Sequence, residues 1–196
     1  MYALQVLLVS LQAWAVVAAP HPKILVSRQK DTITAALGMV QGSLEGLDTA
    51  VKGLSVSDPN SVAGVLTAAQ ASQSALDTAT TMIDGADNLG LFAAIGLQGT
   101  ADGLVTQVQT TLGDLSEKKP VFDQLGVTSV VADSLQQQKA GSTKLGDTLL
   151  TKVPAIAKPI AQMSTGQLGE ALDSAIAVFN QPAAGGAAAA KPPAAA

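Results

Sequence analysis

The sequence predicts an all-α protein, an antiparallel bundle of about five amphipathic helices joined by short loops. Three observations predict it. Apolar residues recur at steps of three and four along most of the chain, and nothing alternates with period two over a useful length. Hydrophobic residues make up 47% of the 196, and most are Ala, Leu and Val. Aromatic residues are only 3%, and so little ring volume suits packed helices better than a β-sandwich.

The first helix follows Ser27. Its apolar positions are Ile33, Leu37, Val40, Leu44, Leu47, Val51 and Leu54, alternating steps of four and three without a miss. Asp58-Pro59 then supplies an N-cap and a proline for the first turn of the second helix. That helix carries Val62, Val65, Leu66, Ala69, Leu76 and Ile83, until Asp87-Asn88 and the glycines around them interrupt it. The third stripe runs Leu97, Ala101, Leu104, Val108, Leu112 and Leu115 and stops at Lys119-Pro120, because a residue before proline avoids the helical region. A short turn, Val121 to Leu125, leads past Gly126 into a fourth stripe of Val127, Val131, Leu135, Leu145, Leu149 and Val153. Pro154 and Pro159 break the chain there. Ser164 and Gln167 have capping-box spacing, and a last helix carries Leu168, Leu172, Ile176 and Phe179.

The ends read differently. Leu4 to Ala19 is an apolar run too short to span a bilayer comfortably and closes in small residues, so residues 1–18 read as a secretory signal peptide. Residues 19–26 read as a flexible arm, 27–180 as the bundle, and 181–196, rich in Ala, Gly and Pro, as a disordered tail. The tail lacks the apolar terminal run of a GPI signal and the Ser/Thr of a glycosylated stalk. A secreted, extracellular protein is the expectation.

Composition removes several function classes. The net charge is −4 and Lys118-Lys119 is the only basic doublet, which argues against nucleic acid as a partner. The chain has no cysteine, so disulfides and thiolate metal sites are excluded. Its one histidine, His21, stands between prolines near the start, away from any Ser-His-Asp triad or multi-His metal site. Asp84 and Asp87 have the spacing of a general acid and base, but Asn88 and Gly90 follow them and mark a helix end. No enzyme activity, metal or cofactor is expected.

What remains is apolar surface. The candidate lipid- or surface-contacting side chains lie on the stripes: Leu37, Leu44, Leu47, Val51, Leu66, Leu76, Ile83, Leu104, Val108, Leu112, Val131, Leu135, Leu149 and Phe179. Polar residues interrupt two of these stripes, Gln73 and Thr80 on the second helix and Gln138 and Ser142 on the fourth. Either they lie near solvent or pair with each other, or they line an internal cavity and meet a lipid head group. Gly38, Gly42, Gly46 and Gly53 lie roughly opposite the first stripe. They mark either a second, close helix contact or a pliable helix able to open its apolar face toward a surface.

These features together resemble the fungal family of hydrophobic surface-binding protein A and the related cell-wall galactomannoproteins. The likeness covers about Ser27 to Asn180. It rests on the leader, the missing cysteine, the heptad from Ile33 to Leu54, the Asp58-Pro59 break, the later Leu/Val stripes and the closing Ala175-Ile176-Ala177-Val178-Phe179. The resemblance implies a secreted helical bundle that adsorbs to apolar surfaces or holds fatty acids in an apolar tunnel between helices. It also implies association with the cell wall, although this tail has no Ser/Thr-rich stalk. Two rival readings stay open: a structural protein packing with cell-wall components, and a helical inhibitor of secreted hydrolases.

Overall fold

The structure is a computed structural model that describes residues 22–58 and 60–182, with side chains from Lys30 onward. The leader and the segment from Ala183 on lie outside the described residues. Six helices follow one another among the described residues: α1 (Pro22–Lys52), α2 (Asn60–Asp84), α3 (Leu91–Glu117), the short α4 (Lys119–Gln124), α5 (Thr128–Lys152) and α6 (Lys158–Phe179). Each long helix forms around one of the stripes. On α1, every stripe residue from Ile33 to Leu54 is buried, and the polar face carries i,i+4 partners such as Lys52–Asp48 at 2.7 Å. Asp58 caps α2 by accepting the Asn60 amide at 3.0 Å.

The five long helices close into a ring. Around it the order is α1, α2, α5, α6, α3 and back to α1, so each long helix packs against two others. Consecutive helices reverse direction. Three of the ring contacts nevertheless join parallel helices, because the partners are two apart among the five long helices, the short α4 not counting. Lys52 pairs with Asp114 at 3.2 Å, which sets the C-terminal ends of α1 and α3 together. Lys152 donates to the Asp84 carbonyl at 2.8 Å and accepts Leu89 N–H on its own carbonyl at 2.7 Å, which does the same for α2 and α5. The third parallel pair is α3 with α6.

One end of the ring, where α1, α3 and α6 finish, is closed by α4. Its Phe122 is fully buried and meets Phe179 edge-to-face with ring centroids 5.8 Å apart. Gly126, with φ +69°, ends the α4 turn in the left-handed region, where a side chain would be strained. Asp123 holds the turn: its carboxylate accepts from Lys119 at 2.8 Å and Thr128 at 2.6 Å. The Lys119 ammonium and then the Thr128 hydroxyl hold the Asp123 carboxyl below the usual aspartate range.

Several boundaries differ from the sequence pattern. Helix α1 begins at Pro22, inside the segment expected to be a flexible arm; proline suits a first helical turn, where its missing N–H is not needed. For the same reason α6 begins at Lys158 with Pro159 in its first turn, so Ser164 is interior to the helix rather than its cap. The turn from Val121 belongs to the true helix α4. Helix α3 begins at Leu91, six residues before its stripe. Gly53 falls just past α1.

The glycines separate two situations. A Cβ added at Gly42 or Gly46 meets nothing within 4 Å, so no second helix approaches that face of α1. A Cβ at Gly146 of α5 would lie 2.9 Å from Thr165 Cγ2 on α6. Replacing Gly42 and Gly46 together with Ala should therefore raise stability by about 2 kcal/mol, since helix propensity improves without a clash. Gly146→Ala should lower it by about 1–3 kcal/mol, because a β-branched side chain held by its own helix must give way. Thermal midpoints of the two variants should move in opposite directions.

Candidate functional site

The ring leaves two apolar voids along its axis. The first has a volume of about 50 Å³ and is walled by all five long helices. Leu44, Leu47, Leu66, Leu76, Leu104, Val108, Leu112, Val131 and Leu135 line it. The second, of about 60 Å³, is lined by Leu37 and Leu149 together with Leu89, Leu97, Val153, Ala157 and neighbouring residues of α3 and α6. The two are stacked. Leu37 and Val40 on α1, Ala101 and Leu104 on α3, and Leu145 and Leu149 on α5 divide between them one turn apart. From Ala94 to Leu115 on α3 the combined track runs about 31 Å at 1.5 Å per residue. Both voids are narrow, with room for a few water-sized groups, so anything larger enters by turning the Leu and Val rotamers along the wall.

Polar groups also meet the first void, spread over about two turns of α5. Ser72 of α2, Thr111 of α3, and Ser134, Gln138 and Ser142 of α5 all line it. The Ser72 hydroxyl is fully buried and has no hydrogen-bond partner. An unpaired buried hydroxyl costs about 1–3 kcal/mol, so it is a standing donor and acceptor for whatever lies in the void. Gln138, Ser134, Leu66 and Ala69 also line an outer groove between α2 and α5, shared with Gln70, Gln73 and Gln137. Part of the polar lining, Ser134 and Gln138, therefore borders this outer groove. Among the described residues, no ionisable side chain lines either void.

The structure separates the residues that the sequence grouped as a polar lining. Gln138 and Ser142 line the first void. Gln73 lies on the shoulder of α2, against Gly141 and in the outer groove. Thr80 is buried but donates to the Leu76 carbonyl at 2.7 Å and faces neither void. Val51, Ile83 and Phe179 are buried outside the voids, where they fill the ends of the ring. Ser72 was missed because steps of three and four are both allowed from Ala69. At 100° per residue, Ser72 falls 20° from Val65 on the stripe, while Gln73 falls 80° away. Measuring angles instead of counting steps would have chosen Ser72.

A second feature escaped the pattern altogether. At the end of the ring opposite Phe122, several large apolar side chains face outward. Leu91, Phe92 and Ile95 start α3, and Ile156, Ile160 and Met163 surround the start of α6. Phe92 is 90% exposed. Ile95 and Ile160 also line the second void, so the void reaches the surface among them.

The family profile described as "Hydrophobic surface binding protein A" matches residues 31–151, from α1 through nearly all of α5. The chain belongs to the hydrophobic surface binding protein A family. Among curated relatives, cell wall mannoprotein 1 of Aspergillus flavus is 26% identical over 155 residues, which is 79% of this chain and 56% of that protein. Cell wall mannoprotein 1 of Talaromyces marneffei is 29% identical over 92 residues, 47% of this chain and 20% of that one. The match with this family member thus spans little more than half the length of the first of these relatives and a fifth of the second. Among solved structures, ligand-binding domain 1 of the Penicillium marneffei MP1 protein, complexed with arachidonic acids, shares the fold with a TM-score of 0.74. It is 22% identical, and the match covers 78% of this chain and 99% of that domain. AFMP4P in complex with palmitic acid matches with a TM-score of 0.73 at 24% identity, covering 77% and 99%. Among the described residues no three His, Cys, Asp or Glu side chains are grouped to hold a metal, and no helix is long and apolar enough to cross a membrane.

Proposed function

We propose that the protein binds long-chain fatty acids or similar single-chain lipids in the stacked voids, as a carrier without catalysis. The observation that carries this reading is the first void: mostly aliphatic, without an ionisable side chain, and with one buried and unpartnered hydroxyl, Ser72, on its wall. The acyl tail replaces water against Leu and Val, which contributes about 25 cal/mol per Å² of apolar surface buried. A bilayer core about 30 Å thick holds two opposed tails, so a track of this length accommodates one with room to spare. With hydroxyls and an amide but no cation on the wall, the head group it suits is uncharged: a protonated carboxyl or an ester. Relatives complexed with arachidonic and palmitic acids support the ligand class. The names of the curated relatives support a place outside the cell, at the wall. The binding unit would be residues 27–180, with the leader removed.

The test is titration of the delipidated protein with palmitic acid, read by displacement of a fluorescent fatty acid. Saturable binding is expected, and Ser72→Ala combined with Gln138→Leu should weaken it about tenfold, corresponding to about 1.4 kcal/mol. An absence of saturable binding in the folded parent protein would overturn the reading.

A further inference from the structure

We infer that the end of the ring bearing Leu91, Phe92, Ile95, Ile156, Ile160 and Met163 docks onto the surface of a phospholipid layer and opens the second void to it. The inference rests on the lipid-carrier reading above, and its test is chosen so that the two can fail separately.

Exposed apolar side chains are common when scattered and informative when grouped. Among the described residues, six of the nine large hydrophobic side chains that are exposed fall on two short segments at one end of the fold. Met163 is 65% exposed and Ile156 is 74% exposed, beside Phe92. The segments adjoin, because Ile95 from one and Ile160 from the other wall the same void. The surface is therefore continuous with the interior: a molecule leaving the void passes between mostly apolar side chains, with Gln98 and Ser164 among them.

Charge decides the occupant. From Leu89 to Ala101 there is no ionisable side chain, and from Val153 to Gly169 Lys158 is the only one. The Lys30 ammonium lies close over Gly96, 3.0 Å from where a Cβ would be. Neither segment presents a carboxylate, and Lys30 and Lys158 flank the apolar tip; Asp84 and Asp87, exposed where α2 ends, stand at the rim of the same end. Shallow insertion of the two segments then desolvates almost no charge of their own, while the lysines and the aspartates at the rim stay at the level of zwitterionic head groups. Aromatic and aliphatic side chains at the tip with charged residues only at the rim have the composition of an interfacial anchor. Docked this way, a fatty acid leaving the layer enters head group first. Its head group reaches the level of Ser72 while its tail trails into the second void.

The test uses the full chain, delipidated, and phosphatidylcholine vesicles containing palmitic acid. The parent should float with the vesicles. Phe92→Ser combined with Met163→Ser should lower the partition coefficient at least tenfold and slow palmitate transfer from the vesicles in proportion. Neither residue lines a void, so affinity for a fluorescent fatty acid free in solution should stay unchanged. A second variant, Ile156→Ser, sits on the turn before α6 and should give the same result in smaller degree, whether or not the double variant folds. Equal flotation of parent and folded variants would overturn the inference. So would a parent that binds free fatty acid yet ignores vesicles, an outcome that leaves the carrier reading standing. A parent that floats but binds no fatty acid would sink the carrier reading and leave the docking surface. Concentration-dependent dimers that the double variant abolishes, with no flotation, would assign the patch to a second copy instead.

Discussion

Val108→Phe should abolish fatty-acid binding, with affinity falling at least a hundredfold, equivalent to about 2.8 kcal/mol. Val108 is buried on α3 and lines the first void between the levels of Leu104 and Thr111. A phenyl ring in place of the isopropyl group occupies the space of about 50 Å³ beside it. The track is then blocked halfway, and no rotamer change on the other helices reopens it. Because the ring fills an existing void, the stability cost should stay at or below the ~1–3 kcal/mol of ordinary overpacking. Helical circular dichroism and the thermal midpoint check folding, and displacement titration checks binding. Undiminished affinity in the folded variant would mean that the acyl chain binds elsewhere, with the exposed end at Phe92 as the next place to look.

Phe122→Ala should have the largest effect on stability, a loss of about 3–5 kcal/mol. The side chain is fully buried, sits on a helix of six residues, and makes the edge-to-face contact with Phe179 that ties α4 to the end of α6. Its removal leaves a cavity that a short helix anchored at both ends cannot collapse into. The thermal midpoint should fall by roughly 6–20 °C for a domain of this size. Fatty-acid affinity of the fraction that remains folded should change little, because neither Phe122 nor Phe179 lines a void. A loss below about 1 kcal/mol would show that α4 folds independently of the ring. Together the two substitutions separate the residues that hold the ring from those that face its contents.

The helices were legible because burial imposes a period. Ile33 to Leu54 could be read without error, since a helix with one buried face must repeat its apolar residues every three or four positions. The same logic clipped α3 and α6. Leu91, Phe92, Ile95, Ile160 and Met163 are apolar and exposed, so they fit no buried stripe, and the starts of both helices were missed with them. The residues that carry the proposed docking surface are thus the ones a search for buried faces passes over. Prolines misled in a related way: Pro22 fell in the expected arm and Pro159 was taken as a break, yet both stand in first turns, where proline is at home.

By itself the sequence determined the helical class, most helix positions, the absence of cysteine chemistry and the apolar character of whatever the protein meets. All of these follow from residue identity and local spacing. Only the tertiary structure decided that the helices close into a ring with three parallel contacts, because that depends on which stripes face each other across distances that spacing does not encode. It alone left the Ser72 hydroxyl without a partner on the void wall and put Gln73 against Gly141 in the outer groove, since these depend on what α3 and α5 bring alongside α2. It also decided that the stripe of α1 is fully buried while six side chains outside any stripe are exposed. A stripe is a property of one helix, whereas a cavity and its mouth exist only between several.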